Sequence, residues 1–286
     1  MIIDYSVARP PAVALKAAGV TAVGRYIGWD SVPGRASIGK NISKEEAGEL
    51  RSLGIAVFLA FEYAADAPAH GASQGTADGR LAVTQVAELG APAGVGVYYA
   101  ADWDVPDYAP ALPDTPGNAL AKLGPVGKYF QAIHAVKPAH QIGGYGGYYV
   151  VKRLFDAGLI TLGWQTIAWS GGQRDHRAQL YQTGATALGG VDVDVHEGAA
   201  ADFGQWPRPH VTAPPPKFRG EYVTAGMFSL AQLAAKLGVP PAALLRMTAV
   251  RFGTFGDQLA AYENALHSGT QPASAPLPKG IRFWVD

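Results

Sequence analysis

The sequence predicts an α/β fold: a (β/α)8 barrel of the TIM type, distorted in its last units and followed by a small β-α-α-β module. Three observations predict it. Short apolar runs alternate with helix-like segments from residue 2 to residue 195. Hydrophobic residues make up 48% of the 286 and charged residues only 16%, which suits a large buried core. A proline-rich stretch, Trp206-Pro-Arg-Pro-His-Val-Thr-Ala-Pro-Pro-Pro216, reads as an extended linker. The expected divisions are therefore a barrel over 1–206, a linker over 207–217 and a module over 218–286.

The elements follow in order. Residues 2–5 are a short apolar strand. Residues 10–18 are a helix with Pro near its start and Gly19 behind it. Residues 21–27 are the second strand. Ser43-Lys-Glu-Glu46 is a capping-box pattern opening a helix to 53. Residues 55–63 are the third strand and 73–89 a long helix closed by Gly90. The run Val95-Gly-Val-Tyr-Tyr-Ala-Ala-Asp-Trp-Asp104 is a fourth strand, apolar enough to be covered on both faces. If the strand continues, Asp102 and Asp104 share a face, roughly 6–7 Å apart. Residues 118–136 read as a helix, 141–145 as a strand, 148–157 as a helix and 160–169 as the sixth strand. Residues 179–182 and 191–195 are the seventh and eighth, with little room left for helices. Gly143-Gly-Tyr-Gly-Gly147 lacks the Lys and Ser/Thr of a phosphate loop and reads as a turn with close backbone approach.

Barrels of this kind carry their chemistry at the C-terminal ends of the strands. Acids and amides collect there: Asp4, Glu62, Asp102, Asp104, Gln165, Gln182, Asp192 and Asp194. Aromatic residues stand beside them, among them Tyr5, Tyr63, Trp103, Tyr145, Trp164 and Trp169. Carboxylates among rings suit a sugar, whose C–H faces stack while its hydroxyls bind carboxylates and amides. For any single acid the plain alternative is a solvated rim position. Asp192, Asp194 and His196 alternate on one strand and offer metal-ligand chemistry. However, the seven histidines lack H-x-x-x-H spacing, so His196 is read as a loop residue and neither metal nor cofactor is expected. With 23 basic and 23 acidic residues and no basic run, nucleic acid is a poor partner. No apolar run is long enough to insert into a membrane, and the absence of cysteine removes thiol chemistry.

Over residues 1–206 the chain resembles the glycoside-hydrolase-like domain of the Rv2525c type, a relative of the family 25 lysozymes. The carriers are Ile3-Asp-Tyr-Ser6, Gly24-Arg-Tyr-Ile27, Lys40-Asn-Ile-Ser-Lys-Glu-Glu46 and Val57-Phe-Leu-Ala-Phe-Glu62. Val97-Tyr-Tyr-Ala-Ala-Asp-Trp-Asp104 and Leu180-Tyr-Gln182 with Val191-Asp-Val-Asp194 complete them. The resemblance implies cleavage of peptidoglycan, with Asp4, Asp102, Asp104 and Asp192 in the lysozyme carboxylate positions. Where those lysozymes have Asp-x-Glu, this chain has Asp104. The shorter side chain leaves Glu62 or Asp104 to protonate the leaving oxygen. Asp102 or Asp192 would then stabilise the sugar cation or orient the acetamido group. Tyr63, Trp103, Tyr145, Trp164, Gln165, Gln182 and Asp194 would bind substrate. The alternative is a groove that binds wall glycan, or builds a tail or baseplate, without cleaving anything.

The last module resembles a LysM domain, carried by Ser229-Leu-Ala-Gln-Leu-Ala234, Leu237-Gly-Val-Pro-Pro-Ala-Ala-Leu-Leu-Arg246 and Leu277-Pro-Lys-Gly-Ile-Arg-Phe283, with an insertion over 251–275. That implies either glycan binding or attachment to phage or injection-machine tail proteins. No basic segment, apolar stretch and cleavage site precede the first strand. The expectation is thus a chain without a signal peptide, made in the cytoplasm and acting at the bacterial wall, as an endolysin or as part of a virion or tail-like particle.

Overall fold

The computed structural model describes residues 1–31, 36–207, 220–223 and 282–285. The chain divides into two units, Met1–Pro209 and His210–Asp286. In the first, eight strands close into a barrel in chain order: β1 (Ile2–Asp4), β2 (Ala22–Ile27), β3 (Ala56–Phe61), β4 (Gly96–Ala100), β5 (Gln141–Gly146), β6 (Leu162–Thr166), β7 (Leu180–Leu188) and β8 (Val191–Gly198). Strands β1 to β7 run parallel, and β8 runs antiparallel to both of its neighbours. The reversal has a local cause. Gly189 and Gly190 both take positive φ (57° and 81°), the two-residue hairpin geometry that joins adjacent antiparallel strands. The last unit of the barrel is therefore a hairpin rather than a strand–helix–strand crossover.

The helices are α1 (Ala12–Ala17), α2 (Lys44–Ser52), α3 (Gly71–Glu88), α4 (Ala119–Leu123), α5 (Pro125–Val136) and α6 (Tyr148–Asp156). Ser43 caps α2, its Oγ accepting from Glu46 N at 3.1 Å. The Glu46 carboxylate does not reach back to complete the box; it accepts from Arg9 and Arg25 instead. The single helix expected over 118–136 is two helices. Pro125 has no N–H to continue α4, and the chain breaks at Gly124 before restarting as α5.

Strand alternation sorts the side chains into two cores. Phe58, Ala60, Tyr98, Leu162, Trp164 and Leu180 fill the barrel interior with Phe203, which enters from the opposite end to the site. Tyr98 donates to the Phe203 carbonyl at 2.8 Å, and Trp206 exchanges backbone bonds with Val57. The odd residues of β2 to β4, including Val57, Leu59, Val97 and Tyr99, face outward into the helix layer. Gly143 belongs to a strand, not to the turn expected there. A Cβ on it would lie 2.7 Å from the Tyr98 ring, so a glycine is what lets that ring occupy the interior.

Helices α3 and α5 pack just as closely. A Cβ at Gly75 would sit 2.2 Å from the Tyr129 carbonyl oxygen, a backbone atom that cannot swing aside. Gly75→Ala is expected to force the two helices apart and cost about 1–3 kcal/mol. Urea unfolding of the variant beside wild type checks this; an unchanged midpoint would refute it.

In the second unit, β9 (Gly220–Val223) and β10 (Arg282–Val285) pair antiparallel, with Tyr222 opposite Phe283. The two helices and the insertion expected of a LysM-like module lie outside the described residues.

Candidate active site

The C-terminal ends of the parallel strands surround a pocket of about 460 Å³. Each strand that lines it contributes the residue its alternation turns inward: Asp4 (β1), Tyr26 (β2), Ala60 and then Glu62 (β3), Ala100 and then Asp102 (β4), Tyr145 (β5), Trp164 (β6), Gln182 (β7) and Asp194 (β8). Ala60, Ala100 and Trp164 are its apolar lining, and the other seven are polar or acidic. Because β8 runs antiparallel, Asp194 lies opposite Asp4 in the ladder.

The acids are held by specific partners. Asp4 is buried and accepts from the Tyr26 hydroxyl at 3.0 Å, with His196 Nε2 2.8 Å from its other oxygen. Glu62 is buried and paired with Lys40 Nζ at 2.9 Å. Lys40 in turn lies over the rings of Tyr26 and Trp29, 4.2 and 4.4 Å from their centroids. Asp102 follows the end of β4, and its backbone N–H is fastened to the Ala65 carbonyl at 3.0 Å. Tyr145 donates to Gln182 Oε1 at 2.7 Å.

Electrostatics follow from this crowding. Burial pushes the Glu62 carboxyl above its ordinary range; Lys40 opposes the rise, while Asp102 and Asp4 add to it. Burial also raises Asp102, with Lys40 and the contact to Tyr145 opposing and Asp4 reinforcing. Asp194 is raised by burial and by Asp4, against His196 and a hydrogen bond to Gln182. Carboxyls whose folded-state pKa is raised lose stability as pH rises through that pKa. Asp194→Asn is thus expected to melt higher than wild type near neutral pH. The gap should close in acid, where Asp194 itself takes a proton. Thermal melts across that range test it, and a variant that melts lower at neutral pH would contradict the sign.

The pocket does not gather every residue the sequence pointed to. Strand β4 ends at Ala100, so the shared strand face expected for Asp102 and Asp104 does not form. Asp102 lines the pocket, whereas Asp104 is exposed and outside it. Asp192 is also exposed and outside the lining. Tyr63 and Trp103 are half-buried against the outer core. Gln165 has the outward parity of β6. Its buried amide donates to Gln173 O at 2.7 Å and accepts from Asp175 N at 2.9 Å, so it anchors the loop after β6 rather than lining the pocket.

Tyr26 and Lys40 were not singled out as site residues, and His196 was weighed only as a metal ligand and then read as a loop residue. Tyr26 and His196 carry a readable signal, since each lies two residues from an inward neighbour, Gly24 and Asp194 respectively. His196 is not a loop residue but a buried member of β8. Lys40 had no such signal; its loop reaches Glu62 only in three dimensions. Among the described residues, no group of three or more His, Asp or Glu is placed to hold a metal ion, and no helix is long and apolar enough to cross a membrane.

Comparison with known proteins adds to this geometry. The chain is 28% identical over 213 residues to the Mycobacterium tuberculosis protein named "Putative peptidoglycan hydrolase Rv2525c", covering 72% of this chain and 83% of that one. The crystal structure of the Tat-secreted protein Rv2525c with L-tartrate superposes with a TM-score of 0.61 at 27% identity, over 72% of this chain and 98% of that one. A glycosyl hydrolase 25 of Streptococcus pneumoniae, GHIP, gives a TM-score of 0.42 at 16% identity, covering 69% of this chain and 86% of that one. The Tat-secreted relative corrects the expected route of a chain without a signal peptide, kept in the cytoplasm until a particle or pore releases it. An export leader is a segment separate from the barrel, and the first barrel strand carries no information about it. Residues 13–196 match the family described as "Rv2525c-like, glycoside hydrolase-like domain", and the chain belongs to that family.

Proposed function

We propose that this protein hydrolyses the glycan strands of bacterial peptidoglycan as a lysozyme-like glycosidase, with Asp102 and Glu62 dividing the work. The observation that carries the reading is the convergence of four carboxylates, Asp4, Glu62, Asp102 and Asp194, with Tyr26, Tyr145 and Trp164 in one pocket at the barrel mouth. Acids that crowd one another supply a proton donor and a negative charge side by side, and rings supply a face for the sugar. The name of the M. tuberculosis relative supports the substrate class.

The division of labour rests on partners. Lys40 at 2.9 Å favours a charged Glu62. Among the described residues Asp102 forms no salt bridge; Lys40 acts on it from further off, and it faces the negative charge of Glu62 and Asp4. The Tyr145 hydroxyl has one proton and points it at Gln182 Oε1, whose amide serves Asp194. The contact with Tyr145 favours a charged Asp102, so burial and the negative charge of Asp4 are what keep its proton in place. Asp102 gives its proton to the glycosidic oxygen as the C–O bond breaks. The Glu62 carboxylate stabilises the positive charge left at the sugar carbon. Water then adds to that carbon and returns a proton to Asp102. This replaces Glu62 or Asp104 as the donor expected from sequence. Asp4, tied to Tyr26 and His196, shapes the charge of the site. Nothing in the scheme requires a phage or tail particle.

Digestion of purified peptidoglycan, followed by mass spectrometry of the soluble products, tests the reading. New reducing-end sugars that disappear in the Asp102→Asn variant support it. A protein that sediments with the wall and releases no product is a binding protein, and the proposal fails.

A further inference from the structure

Trp169 is the residue that the pocket leaves unexplained. Its backbone is left-handed, φ 56°, a region that bulky side chains avoid, and the residue is 39% exposed. It belongs to neither core. An indole with more than a third of its surface left in water on a disfavoured backbone is a costly choice for stability alone.

The loop nevertheless holds it there with buried polar side chains. Ser170, 2% exposed, accepts from Tyr148 N at 2.9 Å and donates to the Thr166 carbonyl. Gln165, equally buried, ties down residues 173 and 175 from below. Gly147 makes the space: a Cβ there would lie 2.9 Å from the Trp169 carbonyl oxygen and 3.0 Å from its Cβ. Both anchors lead to the pocket. Gly147 follows Tyr145 by two residues, and Ile167 N donates to the carbonyl of Gln182 at 3.3 Å. Trp169 therefore stands on the rim between the ends of β5 and β7.

We propose that Trp169 is a second sugar-stacking position, which takes the pyranose ring of a neighbouring unit in the glycan chain whose other unit occupies the pocket. The inference rests on the glycan-hydrolase reading of that pocket and extends it from one sugar to a chain. A rigid indole that is 39% exposed offers ring surface that can stack on the C–H face of a sugar at small cost in entropy. A polymer that runs out of the pocket between β5 and β7 meets this ring.

The test is calorimetric binding of soluble peptidoglycan glycan fragments of two, four and six sugars, using the full chain in an Asp102→Asn background that stops turnover. Affinity is expected to rise with length, and Trp169→Ala to reduce that rise about tenfold, equivalent to about 1.4 kcal/mol. Trp169→Tyr should keep most of it. Trp169→Gly should lose the rise as Ala does, yet melt higher than the Ala variant, because glycine relieves the left-handed backbone. A rise with length that survives Trp169→Ala overturns the inference while leaving the pocket reading intact. So does a lower melting temperature than wild type in both the Ala and Gly variants, since the ring would then be packing. No binding at any length overturns both.

Discussion

Asp102→Asn is expected to lower peptidoglycan hydrolysis by about 10²–10⁴-fold, the usual contribution of a general acid. Glu62→Gln is expected to produce a loss of the same order by a different route. The two separate on an aryl glycoside whose leaving group is acidic enough to depart without a proton. On that substrate the Asp102 variant should recover much of its rate and the Glu62 variant should not, because charge at the sugar carbon still needs the carboxylate beside Lys40. The wild-type rate should fall as pH rises through the Asp102 pKa, since the proton donor is then lost. That fall should come above the ordinary aspartate range, because burial and Asp4 push the Asp102 pKa up. Asp104→Asn is the control: the side chain is exposed and outside the pocket, and its loss should change the rate less than about threefold, well below the general-acid range. Recovery by the Glu62 variant rather than the Asp102 variant would exchange the two roles. A large loss at Asp104 would move the chemistry out of the pocket.

The largest stability effect is expected at Arg25, which has no exposed surface at all. Its guanidinium pairs with Glu46 Oε1 at 2.7 Å, stacks on the Tyr5 ring with its carbon 4.4 Å from the centroid, and donates to the carbonyls of Tyr5, Ser6 and Lys40. One side chain thus ties the end of β1, the loop that carries Lys40 and the start of α2. Arg25→Met should cost about 3–5 kcal/mol, because it leaves a partly buried carboxylate and several carbonyls short of a donor. Total stability of about 5–15 kcal/mol makes that a large fraction. In a barrel of this size the melting temperature should drop about 6–20 °C. The double variant Arg25→Met/Glu46→Met should recover part of the loss, since no buried charge is then left unpaired; Arg9 also loses Glu46, but its side chain is 35% exposed and stays hydrated. A single variant that melts within a degree or two of wild type would mean that the loops are held by something else.

The barrel was legible because its signal is local. Apolar runs such as 95–101, Ser43 ahead of α2 and the glycines behind several helices act within a few residues, so strand and helix order could be read directly. Much of the pocket was legible for the same reason. A strand alternates with period two, so Asp4, Glu62, Tyr145, Trp164, Gln182 and Asp194 could be placed at strand ends without knowing their neighbours. The reading went astray where the alternation was not applied. Gln165 stands beside inward-facing Trp164 and so faces outward, and the pattern alone would have removed it from the site.

Other features were decided only in three dimensions. Asp102 and Asp104 are indistinguishable by type and spacing. Their difference arises because β4 stops at Ala100, and the backbone N–H of Asp102 then bonds to Ala65 on another loop. Lys40 is 22 residues from Glu62, and no periodicity links a loop lysine to a strand-end carboxylate. His196 lies 192 residues from Asp4, and they meet because a two-glycine turn sends β8 back beside β1. The sequence by itself determined which residues can be acidic, aromatic or buried, since that is chemistry each residue carries alone. Which carboxylate keeps its charge and which holds a proton depends on burial and on partners distant in the chain, and only closure of the barrel brings those together.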